Sequence, residues 1–212
     1  MLKIDDHIGI AFAGLTSDAR VLSNFMRSEA MRSRLVFTRH IPVSRLVASV
    51  GDKAQINTQR YGKRPYGVGL LVIGYDETGP HLFESSPSGN YFDYIAMSIG
   101  ARAQSAKTYL ERHIGEFKNA SVDDLVMHGL RSLRDTMQQD KELSLTNCTV
   151  GIVGKDTKFH VIEGEALQRQ AFFISGFLLE QLLTWIIRYF DLLADTQPAV
   201  APTPGYAMET DA

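Results

Sequence analysis

The chain has 212 residues, of which 44% are hydrophobic and 22% are charged, and its formal net charge at pH 7 is −2. This composition is ordinary for a globular protein with a buried core, and the near-neutral charge excludes a generally basic nucleic-acid-binding surface. Its single cysteine, Cys148, excludes a disulfide framework and a cluster of thiolate metal ligands. We expect Cys148 to be a small buried residue and not a nucleophile.

The chain begins with a predicted strand and helix. From His7 to Ala13, apolar residues alternate with small ones, which predicts a strand. Thr16 or Ser17 can cap the helix that follows, with Asp18 in its first turn, and we expect this helix over 16–38. Its arginines favour a solvated or interface-forming face over a phosphate site: Arg20, Arg27, Arg32 and Arg34.

A second helix is predicted from Pro42, whose fixed φ suits the first helical position. An apolar stripe with helical spacing follows, formed by Val43, Leu46, Val47, Val50 and Ala54. This spacing predicts a helix with one face buried against other elements of the domain.

The segment 59–76 predicts a tight turn followed by a buried strand. Pro65 fixes its own φ and disfavours the helical conformation at Arg64. Val68 to Ile73 is apolar apart from one glycine, which is typical of a strand covered on both faces. Three glycines leave room for another backbone or helix to approach: Gly67, Gly69 and Gly74.

The next elements are predicted from shorter signals. Residues 76–79 form a turn, and strands are expected at 81–85 and 94–99. A third helix is indicated by apolar residues at helical spacing: Ala103, Ala106, Leu110, Ile114 and Phe117.

The last predicted elements are a helix and a hairpin. Ser121 and Asp124 match a capping box that begins a fourth helix. One face of this helix is expected to be apolar: Val126, Leu130, Leu133 and Met137. Strands at 148–153 and 159–162 then form a hairpin around a turn at 154–157. Strands interrupted by pairs of helices predict a layered α+β domain, arranged α-β-β-α if the helices cover two sheets.

Several of these segments resemble the proteasome alpha subunits. The run Arg64-Pro65-Tyr66-Gly67-Val68 resembles that family's signature, and the resemblance extends to the segments 5–20, 98–112 and 150–154. Together these cover about residues 3–168. The resemblance implies an α+β fold, a four-layer α-β-β-α sandwich like that of N-terminal-nucleophile hydrolases, incomplete at the N-terminus.

Both ends depart from the family. We expect residues 1–168 to be an alpha-type domain lacking its N-terminal helix and first strands, 171–195 to be an atypical apolar helix, and 196–212 to be a disordered tail. For the apolar run 171–193, burial against protein, membrane association and disorder all remain open. Our hypothesis is that 171–195 is a retained intron or splice variant and that Met1 is a late start.

The sequence predicts no catalytic, cofactor-binding or metal-binding residue. The histidines lack H-E-x-x-H or Cys-pair spacing and are expected to be structural: His7, His40, His81, His113, His128 and His160. Residues 62–69 are glycine-rich but lack the Gly-Lys-Ser/Thr of a P-loop. Asp123 and Asp124 are explained as the first turn of a helix. No cofactor is expected.

The resemblance implies a non-catalytic structural subunit of the alpha ring of the 20S proteasome core. It further implies a part in ubiquitin-dependent protein degradation, in cytoplasm and nucleus. The implied partners are neighbouring alpha subunits, beta-ring subunits, and the regulatory particle or other activators, with no nucleic acid and no membrane. The family's activator-binding lysine falls before Met1, so Lys3 inherits no role and activator docking stays open.

Two alternatives remain for the function. One is an active peptidase subunit of the threonine type, which uses an N-terminal nucleophile with its own amine as base. The chain begins Met1-Leu2-Lys3, without such a nucleophile. The other is a splice or gene-model variant that associates with membranes and does not assemble, since missing strands would leave sheet edges unpaired.

Overall fold

The computed structural model describes residues 1–137, 143 and 147–164, so the predictions for 171–195 and 196–212 lie outside the described residues. The strands are β1 (Leu2–Asp5), β2 (Ile8–Gly14), β3 (Val68–Asp76), β4 (Gly79–Ser85), β5 (Tyr91–Asp93), β6 (Thr149–Gly154) and β7 (Thr157–Glu163). The helices are α1 (Thr16–Phe37), α2 (Val43–Gln59), α3 (Ala103–His113) and α4 (Val122–Arg134), with a short 3-10 turn at Phe117–Asn119.

The first five strands form one antiparallel sheet in the order β1-β2-β3-β4-β5, and β6 and β7 form a separate hairpin. The predicted strand at 94–99 is wrong. The strand that pairs with β4 comes earlier, with Tyr91 opposite Ser85 and Asp93 opposite Phe83. Pairing ends just after, where the amide of Tyr94 donates to the Leu82 carbonyl at 2.8 Å. The pairing register with β4, and not the local alternation of apolar residues, therefore decides where this strand lies.

The main core lies between one face of the five-stranded sheet and the helices α1 and α2. Ile8, Val72 and Leu46 are fully buried there, and the stripe predicted for α2 is buried throughout. Along β3, Val68, Leu70 and Val72 are buried, whereas Leu71 and Ile73 are only half-buried. The prediction of a strand covered on both faces is therefore correct for one face only.

Several glycines lie so close to neighbouring elements that a larger residue would clash. Gly74 lies under Val43 of α2, where a Cβ would come within 2.6 Å of the valine side chain. On the other face of the sheet, a Cβ on Gly9 would overlap the ring of Phe159 from β7. The amide of Phe159 also donates to the Asp6 carbonyl at 2.6 Å. The hairpin β6–β7 therefore contacts the sheet on the face that α1 and α2 leave free.

The helices α3 and α4 pack against each other. The capping box is confirmed, since the amide of Asp124 donates to Ser121 Oγ at 3.1 Å and the Ser121 amide donates to Asp124 Oδ2 at 3.3 Å. The predicted apolar face is less buried than expected: Val126 and Leu130 are half-buried, and Leu133 is exposed. Helix α3 ends at His113, before the predicted Phe117, which lies in the 3-10 turn.

Cys148 is buried, as predicted, and burial raises the pKa of its thiol. A raised pKa disfavours the thiolate, the reactive form of the side chain. Among the described residues, no helix has both the length and the apolar character that crossing a membrane requires.

Candidate functional site

The outward side of α1 presents an uncharged stripe to solvent. It consists of residues that repeat at helical spacing: Ser17, Val21, Asn24, Ser28, Met31 and Leu35, hereafter the outer stripe. All six are exposed, and Leu35 is exposed to 86% of its possible area. A stripe of aliphatic and small polar residues, bordered by charged side chains, suits contact with another protein.

The predicted arginines flank the outer stripe, and three of them have partners within the chain. Arg27 donates to the Lys3 carbonyl at 3.0 Å, Arg32 pairs with Glu29, and Arg34 pairs with Asp5. Arg27 and Arg34 thus join α1 to β1, whereas the Arg32–Glu29 pair lies within α1 itself. These contacts support the predicted choice of a solvated or interface-forming face over a phosphate site.

Residues 64–67, which lead into β3 and are hereafter called the signature turn, are tied to the first turn of α1. Both terminal nitrogens of Arg64 donate to the carboxylate of Asp18, at 2.7 and 2.9 Å, and the amide of Gly67 donates to the same carboxylate at 2.9 Å. The amide of Leu15 in turn donates to the Gly67 carbonyl at 2.8 Å. Because Asp18 is buried and its bond to Arg64 is bidentate, this group of four residues fixes the position of α1 against β3.

The same contacts set the charge state of Asp18. The hydrogen bond from Arg64, followed by that from the Gly67 amide, lowers the pKa of Asp18 from 3.8 to about 2. The carboxylate therefore stays ionised through the whole physiological range, and the link between the turn and α1 is permanent there.

Glycines allow the turn to approach α1. A Cβ on Gly67 would lie 2.7 Å from the Leu15 side chain, so a larger residue would require that side chain to move. Gly14 has φ +127°, and a Cβ there would overlap the Gly67 carbonyl. The predicted close approach is thus confirmed at Gly67 and Gly74. At Gly69 the nearest atom would be 3.9 Å away, which is ordinary contact.

The histidines predicted to be structural take part in several contacts. His128 lies 3.1 Å from the Tyr109 hydroxyl and 3.4 Å from a Glu116 oxygen, while His81 lies between Asp76 and Asp93. The structural role of the histidines stays a prediction. Asp123 and Asp124 lie in the first turn of α4, as predicted.

Sequence reasoning placed the candidate contact face of this helix at its arginines and missed the outer stripe as a whole. The helical spacing of Ser17, Val21, Asn24, Ser28, Met31 and Leu35 was a visible signal. It also missed the Arg64–Asp18 pair, whose members are 46 residues apart in the chain.

Comparisons with known proteins give one consistent family. The model of the family described as proteasome subunit matches residues 1–153. A probable proteasome subunit alpha type-6 of Schizosaccharomyces pombe is 56% identical over 159 residues, covering 75% of this chain and 58% of the relative. Proteasome subunit alpha type-1 of Dictyostelium discoideum is 52% identical over 161 residues, covering 76% and 65%. Proteasome subunit alpha type-6 of Saccharomyces cerevisiae is 47% identical over 171 residues, covering 80% and 73%.

The matched part of the chain is also only part of these relatives. The chain spans 58% to 65% of the length of the first two curated relatives that it matches. The matched residues include β1 through β5, all of β6 but its last residue, the signature turn and the outer stripe of α1.

Proposed function

The chain belongs to the proteasome subunit family, among its alpha subunits, and we propose that it is a non-catalytic structural subunit of the alpha ring of the 20S core. In this role it supports ubiquitin-dependent protein degradation by holding neighbouring subunits and contributing to the wall through which substrates enter. It cleaves no peptide bond itself. The relatives named as alpha subunits do not favour the peptidase or the non-assembling alternative.

The outer stripe of α1 is the observation that carries this proposal. A ring of distinct subunits needs heterologous contact surfaces on every member, and such obligate interfaces are typically large and apolar at their centre. The outer stripe offers exposed aliphatic side chains on a long helix, and Asp18 and Arg64 hold that helix in place. We infer that α1 contacts a neighbouring alpha subunit through this stripe.

The finer fold proposal is a four-layer α-β-β-α sandwich. Its support is the position of the β6–β7 hairpin, whose Phe159 covers Gly9 on the face of the sheet opposite α1 and α2. The helix pair α3 and α4 would form the fourth layer. Within the family, the sequence most resembles alpha type-1, the sixth ring position in fungal nomenclature.

The remaining proposals concern partners and location. Neighbouring alpha subunits and the beta ring are the proposed partners, and the cytoplasm and nucleus are the proposed locations. Activator docking through Lys3 is not proposed. Its amino group pairs with Asp6 at 2.7 Å, beside the turn between β1 and β2.

The test is affinity purification of the full chain, tagged at its C-terminus, from cells that contain the other subunits. Quantitative mass spectrometry should recover the other alpha and beta subunits in near-equal amounts. Leu35→Asp should reduce that recovery at least tenfold, since it places a charge in the outer stripe at an exposed position where folding is little affected.

The matched control is Leu133→Asp, which changes an exposed leucine on α4. It should leave recovery within twofold of the unmodified chain. Recovery of chaperones or membrane material alone would contradict the proposed ring role. Equal recovery with Leu35→Asp would contradict the assigned surface. Peptide hydrolysis by the purified chain, abolished by changing one threonine or serine, would favour the peptidase alternative.

A further inference from the structure

Three side chains with metal-binding atoms meet near the beginning of the chain. Asp5 ends β1, His7 lies in the turn before β2, and His40 lies between α1 and α2. Asp5 Oδ2 is 3.5 Å from His7 Nδ1 and 3.7 Å from His40 Nδ1, and all three ligand atoms lie within 4.8 Å of one another. None of the three takes part in the contact surface proposed above.

Two of these atoms are buried without a hydrogen-bond partner among the described residues. They are Asp5 Oδ2 and His7 Nδ1, on side chains that are only 11% and 13% exposed. Buried polar atoms in folded proteins almost always have a partner, so an unpaired pair of them requires an explanation.

The tautomer of His7 places two hydrogen-bond acceptors, His7 Nδ1 and Asp5 Oδ2, opposite each other. His7 Nε2 lies 2.8 Å from the Ile41 carbonyl, which can only accept, so Nε2 carries the hydrogen. In a neutral ring with this tautomer, Nδ1 keeps a free lone pair. That lone pair faces Asp5 Oδ2 at 3.5 Å, and two acceptors at this distance repel unless a proton or a metal ion lies between them. A backbone carbonyl bonded to the far nitrogen is also the usual support of a metal-binding histidine.

The spacing suits a small divalent ion. Four-coordinate Zn²⁺ has bonds to imidazole and carboxylate of about 2.0–2.2 Å, which places neighbouring ligand atoms roughly 3.3–3.5 Å apart. The two distances from Asp5 Oδ2 are within a few tenths of an ångström of that separation. His40 is 57% exposed, so its ring has room to adjust toward His7 once its contact with Arg34 is displaced.

Arg34 acts both for and against an ion at this place. Its guanidinium pairs with Asp5 Oδ1, which orients the carboxylate and leaves Oδ2 toward the histidines. The same group lies 3.2 Å from His40 Nδ1, where it competes for the lone pair and adds a positive charge. An ion must displace that contact, so removing Arg34 should strengthen binding.

We propose that Asp5, His7 and His40 bind one Zn²⁺ ion, or a similar divalent transition metal, through Oδ2, Nδ1 and Nδ1. Two imidazoles and one carboxylate form a ligand set that such metals prefer, and water completes the coordination. The ion would join β1, the start of β2 and the α1–α2 connection. This site is independent of the proposed subunit role, and it was missed because Asp5-x-His7 with a histidine far along the chain matches no metal motif.

The test is a Zn²⁺ titration of the full chain, stripped with a chelator, in competition with a chromophoric indicator. We expect one ion per chain, and His40→Ala should weaken binding at least tenfold, since losing an outer partner of a ligand already costs that much. The matched control is His81→Ala. His81 also lies between two carboxylates, but Asp76 and Asp93 meet different ring nitrogens, so they cannot share one ion with it.

The control should change the affinity by less than twofold. Arg34→Gln should tighten binding roughly fivefold, because it removes a neighbouring positive charge. Circular dichroism checks that each variant is folded, and both His40 and Arg34 are exposed positions. Absence of stoichiometric Zn²⁺ binding, equal affinities of His40→Ala and His81→Ala, or weaker binding by Arg34→Gln would each overturn the site.

Discussion

Two regions of the molecule contain helices with similarly spaced apolar residues, but the two regions bury these residues to different extents. In the first, made of β1–β4 with α1 and α2, the helix α2 buries six residues against the sheet. In the second, made of α3, α4 and the β6–β7 hairpin, each helix buries a single residue, Ala106 on α3 and Ser132 on α4. Helical spacing therefore predicts which face is apolar, but not how completely the described chain covers it.

This difference assigns different sources of stability to the two regions. The first has its own closed core and should resist unfolding even in the isolated chain. The second obtains less from burial among the described residues, so local signals such as helix caps account for a larger share of its stability. Predictions that separate the two regions test this comparison directly.

The largest expected effect is in the core of the first region. Leu46→Ala at a fully buried position should lower the free energy of unfolding by about 2–5 kcal/mol. Leu130→Ala, at a half-buried position on α4, should cost less than half as much, because less area is lost and the cavity is open. Urea unfolding followed by circular dichroism measures both. Equal losses would contradict the comparison.

Acid should weaken the contact between the signature turn and α1. The pKa of Asp18 is about 2 in the folded chain, against 3.8 for the unperturbed group, so the ionised form stabilises the fold. That stabilisation is complete above pH 4 and is lost as the pH falls from about 4 to about 2. Stability measured against pH should fall in this window, and the fall should be reduced in Asp18→Asn, which is also less stable at pH 7.

The matched control is Asp123→Asn, which changes an exposed first-turn aspartate of α4 that has no arginine bonded to it in the described structure. It should keep the same fall between pH 4 and pH 2 as the unmodified chain. If Asp18→Asn keeps it as well, the Arg64–Asp18 pair does not govern the acid stability.

A cap in the second region should have a smaller and more local effect. Ser121→Ala removes the side chain that accepts the Asp124 amide, at a typical cost of ~1 kcal/mol. Hydrogen exchange should accelerate at the amides of α4 and stay unchanged in β2 and β3, since the second region can open by itself. Acceleration throughout the chain would show that the two regions unfold as one unit.

The predictable part of the fold is the part with local signals. The helix α2, the capping box of α4 and the β6–β7 hairpin each have their signal within a few residues, and each was correctly predicted. The strand β1 was missed because four residues with two apolar side chains become a strand only through pairing with β2. The strand β5 was misplaced because its register is set by β4.

The candidate sites follow the same division. The outer stripe of α1 was missed, although helical spacing alone places its residues on one face and so contains a local signal. The Arg64–Asp18 pair and the Asp5, His7 and His40 cluster have no such signal, because the chain must fold before residues tens of positions apart become neighbours. When a site is built from separate elements, the spacing of its residues along the chain does not show that they become neighbours.

The smallest expected effect concerns two residues, one in each region, that share the same backbone conformation. Thr38, after α1, and Arg102, before α3, both have φ 56° and ψ 23°, a left-handed conformation that disfavours β-branched residues most strongly. Thr38→Gly relieves that strain but adds entropy to the unfolded chain, so we expect a net gain of roughly 0.5–1 kcal/mol in the free energy of global unfolding. Arg102→Gly relieves a smaller strain in the second region, because arginine is not β-branched. If that region opens by itself, this gain should slow hydrogen exchange in α3 and leave the midpoint of global unfolding nearly unchanged. If Thr38→Gly and Arg102→Gly shift that midpoint equally, both regions limit global unfolding to the same extent.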